Sequence, residues 1–383
     1  MAAGIKRFVN FFVIGLGLFF WMTTYAQEIS GESSWKFAVS GDSRNCGDVV
    51  MPAIASSVLK HQVDFYWHMG DFRKMSDIDE DMSIRYGSQF TIDDYRRAAW
   101  GDFIVHQIAP FGALPVYLGI GNHELAGGKT KDDYIKQFGY WIDTPELHNQ
   151  RNTDSVKADS LSYFHWQKQH VDFISLDNAD EDGFSSAQLQ WLEGVLEKDK
   201  DNSDIYTIVV GMHRALPNSF ACGHSMNGDI DTPSDIAIKS LDSGRRAYQD
   251  ILNWQRKTGK HIYVLASHSH FFMERIFETP FWKNTAMKDR GVLPGWIVGT
   301  AGAQRYPLPE GIPQDIHAET LVSGYLLGTV EPNGEIRFEF QKVDENDVPA
   351  SVRDEFDNKF IRACFTENKS LKRKPAPASC FEK

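Results

Sequence analysis

The chain has 383 residues, of which 42% are hydrophobic and 24% charged, a balance typical of a folded globular protein rather than a disordered one. Its length suits one large domain or two modest ones. The formal net charge of −12 at pH 7 repels phosphate backbones, so the composition argues against a nucleic-acid scaffold.

Residues 1–26 have the pattern of a secretory signal peptide. Lys6 and Arg7 precede an apolar run over 8–21, and a small-residue cleavage site ends at Ala26. The apolar run is shorter than the roughly 20 residues that a membrane-spanning helix needs. We therefore predict a secreted or periplasmic protein with no stable membrane insertion after cleavage. An uncleaved N-terminal membrane anchor is the alternative.

Five short apolar runs, rich in β-branched or aromatic residues, predict buried strands. In chain order they are Trp35 to Ser40, Asp64 to His68, Leu114 to Leu118, Ile205 to Val210 and His261 to Ala266. Apolar residues at helical spacing predict helices at 49–61, at 91–106, from Ser186 onward and at 244–257. A strand pair and a later hairpin complete the α/β pattern, at 161–166 with 171–176 and at 325–330 with 336–340.

Residues 125–160 form a long polar segment that contains the aromatic residues Phe138, Tyr140 and Trp141. The segment is too long for an ordinary connection between two elements. It predicts either a lid over a substrate site or a solvated surface decoration with one packed aromatic cluster.

Neither a repeat nor a linker is visible in the rest of the chain, so we predict one domain over residues 27–366. The tail over 367–383 is rich in Lys and Pro, and we expect it to be poorly ordered.

The chain has four cysteines, Cys46, Cys222, Cys364 and Cys380. In an exported chain this even number predicts disulfides. Cys364 with Cys380 would hold the tail, and Cys46 with Cys222 would join two loops that follow strands. Four cysteines allow three pairings, and the sequence does not choose among them.

Polar side chains follow all five predicted strands, and most of them can bind a metal ion. They are Asp42, then Asp71, then Asn122 with His123 and Glu124, then His213, and finally His268 with His270. In an open α/β sheet, the loops after neighbouring strand ends converge on one crevice. Carboxylate, amide and imidazole groups brought together there suit Zn, Mn or Fe, so the sequence predicts a metal site.

The order of these motifs resembles that of the calcineurin-like metallophosphoesterases and, within them, the purple-acid-phosphatase-like branch. The matching motifs are Asp42, Gly70-Asp71, Gly121-Asn122-His123-Glu124, Val210 to His213 and Ser267 to His270. The resemblance implies a single-domain α/β fold, a four-layer α/β/β/α sandwich. It also implies a centre of two divalent or trivalent metal ions (Zn, Mn or Fe) that acts on phosphoesters.

The resemblance assigns the metal ligands as well. Asp71 would bridge the two ions, and the remaining ligands would be Asn122, His213 and His268 for one ion and Asp42 and His270 for the other. Two ions about 3.5–4 Å apart clamp both oxygens of an in-line displacement and hold a bridging hydroxide as the nucleophile. His123 resembles the family's catalytic imidazole, which contacts phosphate and protonates the leaving group. Glu124 or another carboxylate is expected to orient that ring.

Two positions depart from the family pattern. Arg44 stands where many members have His in the first motif, and Lys74 stands where purple acid phosphatases have Tyr. Arginine has no lone pair to give a metal, so we predict that Arg44 clamps substrate phosphate. The metal site nearest the first motif then has three expected protein ligands, Asp42, Asp71 and His270. Asn45 or a water would fill its fourth position.

Several other residues have two readings. Arg214 and His224 are predicted to contact substrate together with Arg44, Asn122 and His123. Arg73 also follows a ligand residue and could contact substrate, and a surface ion pair fits Arg214 and Arg73 equally well. The remaining histidines that we considered fit packed or solvated positions better than ligand positions, namely His68, His106, His165, His170 and His261.

The sequence thus predicts an exported metal-dependent phosphoester hydrolase, most simply a phosphomonoesterase, whose partner is a small-molecule phosphoester. Its predicted catalytic residues are Arg44, Asp71 and His123. A phosphodiesterase acting on nucleotides or glycerophosphodiesters is the alternative in the same class. A non-catalytic binding protein on the same scaffold is a further alternative, because Arg44 weakens one metal site.

Overall fold

The computed structural model describes Met1 and residues 33–227, 234–284, 291–366 and 374–381. The predicted signal peptide, residues 1–26, lies almost wholly outside the described residues. The chain divides into Met1–Ser33 and one compact unit, Ser34–Lys383. In the described part of the chain, no helix is both long enough and apolar enough to cross a bilayer.

Twelve strands are present among the described residues. They are β1 Trp35–Ser40, β2 Tyr66–His68, β3 Val116–Leu118, β4 Phe164–Lys168, β5 Val171–Leu176, β6 Thr207–Met212, β7 His261–Ala266, β8 Phe272–Glu274, β9 Gly295–Val298, β10 Ala318–Glu319, β11 Ser323–Val330 and β12 Ile336–Val343. The same residues contain ten α-helices. These are α1 Gly47–Lys60, α2 Glu80–Tyr86, α3 Ile92–Phe103, α4 Lys131–Ile142, α5 Pro145–Thr153, α6 Ser186–Asp201, α7 Asp235–Thr258, α8 Pro280–Asn284, α9 Ala350–Glu355 and α10 Asn358–Thr366.

The strands form two mixed sheets. The first has the order β12-β11-β1-β2-β3, in which β1, β2 and β3 are parallel and β11 is antiparallel to both of its neighbours. The second has the order β10-β8-β9-β7-β6-β5-β4, with a parallel centre of β5, β6, β7 and β9. The five strands that carry the motifs are therefore divided between two sheets rather than gathered in one.

The two sheets pack face to face through aromatic side chains. Phe37 of the first sheet meets Phe173 of the second with ring centroids 5.0 Å apart, and Trp67 meets Trp166 at 5.1 Å. Helices cover the outer faces, with α1 and α4 on the first sheet and α6 and α7 on the second. The predicted four-layer α/β/β/α sandwich is confirmed.

The segment 125–160 contains two helices, α4 and α5. Of the predicted aromatic cluster, Phe138 is fully buried and Trp141 half-buried in the core that covers the first sheet, whereas Tyr140 is 81% exposed. Tyr134 and Leu147 on the same helices are also fully buried. This burial favours the packed-cluster interpretation of the segment over the lid.

The helix predicted at 244–257 begins earlier, at Asp235, as α7. Its start is capped by Ser234, whose side chain accepts a hydrogen bond from the backbone of Ala237 at 3.1 Å. Ile236 and Ile238 in its first turns are exposed, so the amphipathic pattern that predicts a helix is missing there.

The disulfides follow a pairing that the sequence left open. Cys46 bonds to Cys364 and Cys222 bonds to Cys380, with Cα atoms 5.7 and 5.4 Å apart. Neither the Cys364–Cys380 pair nor the Cys46–Cys222 pair forms. Each bond instead joins a loop that follows a motif strand to the C-terminal part of the chain, and residues 374–381 of the predicted tail are held in this way.

Candidate metal centre

Three motif residues follow strands in a left-handed backbone conformation. Asp42 after β1, Asp71 after β2 and His268 after β7 have φ values of 62°, 61° and 63°. Side chains other than glycine rarely adopt this conformation, and it costs free energy that the surrounding fold must offset. The turn redirects the chain at the end of each strand, and the three side chains meet at one edge of the two sheets.

Two glycines allow the loops after β2 and β3 to touch. A Cβ atom on Gly121 would lie 2.5 Å from Asp71 Oδ1 and 2.9 Å from His213 Cε1. A Cβ atom on Gly70, whose φ is +91°, would lie 2.4 Å from the nitrogen of Gly121. Glycine is therefore required at both positions, because any side chain would push the ligand residues apart.

The structure brings four predicted ligands into one group. One ligand atom from each of Asp42, Asp71, His213 and His268 lies within 4.8 Å of the others, and Asn122 Oδ1 lies 3.1 Å from His213 Nε2. The group is buried except at His268, which is half-buried.

Hydrogen bonds set the orientation of two imidazole rings. The Nδ1 atom of His213 donates to the carbonyl of Met69 at 2.9 Å, and Nδ1 of His270 donates to the carbonyl of Gln304. A carbonyl can only accept, so the hydrogen is on Nδ1 and Nε2 faces the centre in both rings.

Two carboxylate oxygens at the centre have the character of metal ligands. Asp42 Oδ1 and Asp71 Oδ2 are buried and accept no hydrogen bond within the described residues. Burial favours the neutral acid, but His213, His123 and Arg44 together hold the pKa of Asp71 well below its usual value. Each oxygen has a nitrogen nearby but no hydrogen bond, with His270 Nε2 3.2 Å from Asp42 Oδ1 and Arg44 Nη2 3.5 Å from Asp71 Oδ2. Each therefore keeps a lone pair that a bound cation would stabilise. The donor set fits a divalent or trivalent ion such as Zn, Mn or Fe.

Histidine charge is also set by these neighbours. Burial lowers the pKa of His213, but the carboxylate of Asp71 outweighs it and raises the pKa to about 9. Metal binding at this ring would therefore release a proton. Burial and the guanidinium of Arg44 lower the pKa of His270 to about 4, so its Nε2 lone pair is available at neutral pH.

Arg44 lies inside the centre rather than at its rim, and is 7% exposed. Its Nη2 is 2.8 Å from His270 Nε2 and 3.5 Å from Asp71 Oδ2, while its Nη1 contacts His123 Nε2. Burial disfavours the charge, but Asp71 outweighs it and keeps the pKa of Arg44 above its usual value. The guanidinium is therefore a permanent positive charge in the centre.

Glu124 does not orient the ring of His123, contrary to expectation. Its carboxylate accepts the backbone N–H groups of Asp71, Phe72 and Gly121 at 2.7, 2.9 and 2.8 Å and so holds the loops after β2 and β3 together. The Nδ1 atom of His123 instead donates to the carbonyl of Lys74. The ring is oriented by backbone rather than by a carboxylate.

Asn45 is not directed at the fourth ligand position that we assigned to it. Its side-chain nitrogen donates to Glu80 at 2.5 Å, and its side-chain oxygen accepts from the backbone of Gln304 at 3.3 Å. The Lys74 ammonium pairs with Asp77 at 2.8 Å on the surface. Neither Asn45 nor Lys74 thus supplies a further ligand.

Arg214 and Arg73, for which the sequence allowed two interpretations, both interact with other groups of the protein. Arg214 donates from Nε to the carbonyl of Asn178 at 2.9 Å and from Nη2 to the carbonyl of Asp180. Arg73 is fully buried and forms ion pairs with a group of carboxylates, so a surface ion pair is wrong for it. Its partners are Asp48, Asp79, Asp81 and Asp102.

An aromatic stack that the sequence did not reveal borders the centre. The ring of Tyr306 lies between those of His270 and His224, with centroids 4.0 and 4.5 Å away, and His224 is 5.7 Å from the ring of His268. His224 thus reaches the centre from its loop. Tyr306 follows no strand and belongs to no motif, so no local signal pointed to it.

His68 and His165, two of the histidines that we predicted to be packed or solvated rather than metal ligands, are both buried. His68 lies beside the rings of Phe72 and Phe103, with centroids 5.0 and 5.8 Å away, and burial lowers its pKa to about 3. His165 lies between Asp154 and Asp172.

No protein-family model and no curated protein matches this chain. Among solved structures, the purple acid phosphatase PPD1 from yellow lupin (Lupinus luteus) seeds matches with a TM-score of 0.51 and 15% identity, over 81% of this chain and 52% of that one. A dimetal phosphatase from Danio rerio matches with a TM-score of 0.47 and 11% identity, over 82% of this chain and 96% of that one. PhoD matches with a TM-score of 0.49 and 14% identity, over 81% of this chain and 69% of that one.

The match to the lupin protein has a TM-score above 0.5, so it shows that the two chains share a fold. At 15% identity it shows nothing more than the fold. The chain therefore has the fold of the lupin purple acid phosphatase, in agreement with the fold predicted from the motifs. The chain spans about half the length of the lupin protein.

Proposed function

We propose that this protein is an exported, metal-dependent phosphoester hydrolase whose preferred substrates are phosphomonoesters. The observation that carries the proposal is the pair of buried carboxylates, Asp42 and Asp71, each with an oxygen that accepts no hydrogen bond in the described part of the chain. They face imidazole nitrogens at the strand ends of a metallophosphoesterase fold.

The residues that would hold metal are those of the sequence prediction. Asp42, Asp71, Asn122, His213 and His268 would hold one ion, and a second predicted ion would need His270 as an additional ligand. A cation held by these residues would polarise a phosphoryl oxygen and lower the pKa of a bound water toward neutral pH.

Arg44 and His123 would act on the substrate itself. The planar fork of a guanidinium matches two oxygens of a phosphate, and Arg44 is a permanent charge in the centre. His123 donates from Nδ1 to the carbonyl of Lys74, so Nε2 is the atom that would take up a proton and pass it to the leaving oxygen. Burial and the guanidinium of Arg44 lower the pKa of this ring, which makes its protonated form a stronger acid. The charge of Arg44 favours a doubly charged terminal phosphate over a diester, which supports a phosphomonoesterase.

The purified mature protein should be assayed with Mn²⁺ or Zn²⁺ on p-nitrophenyl phosphate and on bis(p-nitrophenyl) phosphate. We expect faster hydrolysis of the monoester. Asp71→Asn should abolish both metal binding and hydrolysis, whereas the exposed Asp93→Asn should leave both unchanged. Faster hydrolysis of the bis-ester would replace the proposal by a phosphodiesterase. Metal binding without turnover of either ester would indicate a binding protein, and absence of metal binding would overturn the whole assignment.

Export is the second part of the proposal. Two disulfides in the described residues are typical of an oxidising compartment, which agrees with the predicted signal peptide over 1–26. N-terminal sequencing of the secreted or periplasmic protein should begin at Gln27. A sequence that begins at Met1 in a membrane fraction would support the anchor instead.

A further inference from the structure

The side of the centre built by Asp42, Asp71 and His270, which we call the first metal position, already contains a positive group. Arg44 Nη2 lies 2.8 Å from His270 Nε2 and 3.5 Å from Asp71 Oδ2. Both atoms belong to residues that the resemblance assigns to a metal ion. The guanidinium thus lies against two of the three ligands expected there.

The hydrogen bond from Arg44 uses the lone pair that a metal would need. His270 donates its Nδ1 hydrogen to the carbonyl of Gln304, so its Nε2 can act only as an acceptor at neutral pH. Arg44 donates an N–H to that acceptor. Tyr306 stacks on the same imidazole with centroids 4.0 Å apart, which holds the ring in this orientation.

All the expected aspartate and histidine ligands except His270 lie in a single group. Asp42, Asp71, His213 and His268 place ligand atoms within 4.8 Å of one another, and His270 is not a member of that group among the described residues. Asp42, which the resemblance gives to the first position, is therefore close enough to serve the same ion as His213 and His268.

Electrostatics disfavours a second ion beside Arg44. Arginine keeps its proton in proteins, so the guanidinium of Arg44 carries a full positive charge beside Asp71 and His270. The side chain is 7% exposed and lies between His123, His270 and Asp71, so the charge is fixed within the centre. A divalent ion at the first position would meet a like charge at contact distance with little screening.

We propose that Arg44 takes the place of the ion at the first position, so that the centre binds one metal ion, held by Asp42, Asp71, Asn122, His213 and His268. The inference rests on the proposed function, because it assumes that this centre binds metal for phosphoester hydrolysis. Arg44 supplies the positive charge that the second ion would otherwise bring to the phosphate.

Metal stoichiometry tests the inference independently of activity. Native mass spectrometry and elemental analysis of the full-length mature protein, saturated with Zn²⁺ or Mn²⁺, should give one ion per chain. Arg44→His, which restores the His of the family's first motif, should give two ions per chain. Arg44→Lys keeps the charge without adding a ligand and should remain at one.

A spectroscopic signature separates one ion from two in the same samples. Electron paramagnetic resonance of the Mn²⁺-loaded protein should show the hyperfine pattern of an isolated ion, and Arg44→His should show an exchange-coupled pair. Circular dichroism would establish that the variant is folded, and the stoichiometry of the unmodified protein decides the question without it.

Two ions per chain in the unmodified protein would overturn the inference while leaving the proposed function intact. One ion per chain with no hydrolysis of either nitrophenyl ester would instead support the inference on the metal and overturn the proposed function. No bound ion would overturn both.

Discussion

In the proposed centre, the imidazole of His123 is expected to take part in turnover but not in metal binding. Its backbone N–H donates to Asp71 Oδ1 at 2.9 Å, whereas its ring lies between the carbonyl of Lys74 and the guanidinium of Arg44. The ring is not a member of the ligand group among the described residues. Its loss should therefore affect the reaction and not the metal.

We expect His123→Ala to retain metal and to lower kcat by about 10²–10⁴-fold, the contribution typical of a general acid. Turnover of p-nitrophenyl phosphate and metal content should be measured on the same preparation. His148→Ala is a matched control, because its side chain is 62% exposed. Loss of metal in His123→Ala, or unchanged kcat, would contradict the role that we assign to this ring.

At the scale of elements, one buried imidazole joins a helix to two strands. His165 on β4 lies 2.9 Å from Asp154, the residue after α5, and 2.7 Å from Asp172 on β5. Burial disfavours its charge, but Asp172 and Asp154 outweigh this and raise its pKa to about 10. Because the folded-state pKa lies above the unfolded value of 6.5, the stabilisation is complete below about pH 6.5 and is lost as the pH rises through about 10.

His165→Gln should lower the free energy of unfolding at pH 6 by about 3–5 kcal/mol, since it leaves two buried carboxylates without their cation. The difference from the unmodified protein should shrink as the pH approaches 10. Denaturant unfolding across this range measures both effects. His148→Gln, on the surface, should change stability by less than about 0.5 kcal/mol at any pH. A pH-independent loss in His165→Gln would mean that packing rather than charge is responsible.

Local pattern predicts those parts of the centre that sit at strand ends. Asp42, Asp71, Asn122, His213 and His268 each follow an apolar run, and that arrangement is visible in the sequence. The positions of Arg44, Tyr306 and His165 depend on contacts between segments far apart in the chain, so no local pattern reveals them. The start of α7 was missed for a different reason, because its first turns are exposed and carry no amphipathic signal.

At the scale of the whole molecule, two disulfides connect the C-terminal part of the chain to loops near the centre. Cys46, two residues after Arg44, is bonded to Cys364 on α10, and Cys222, two residues before His224, is bonded to Cys380. Sequence could not choose this pairing, because it depends on where the chain returns after the last motif.

Removing the Cys46–Cys364 bond by double substitution to Ser should lower the free energy of unfolding by about 2–5 kcal/mol. The bond joins residues 318 positions apart, and Cys222–Cys380 joins residues 158 apart. Each doubling of loop length adds about 0.6 kcal/mol of closure entropy, so the first double variant should be the less stable by about that amount. Denaturant midpoints of both double variants provide the comparison, and equal or reversed losses would contradict the entropic account.

The strand order has a consequence for synthesis on the ribosome. Every candidate metal ligand has been translated by His270, yet β1, which leads to Asp42, pairs on one side with β11, residues Ser323–Val330. A nascent chain that already carries the complete set of ligands therefore still has an open edge beside β1. The centre is expected to be complete only after the C-terminal hairpin has been made and, in an exported chain, has crossed the membrane, so catalytic competence should arise after translocation rather than during synthesis.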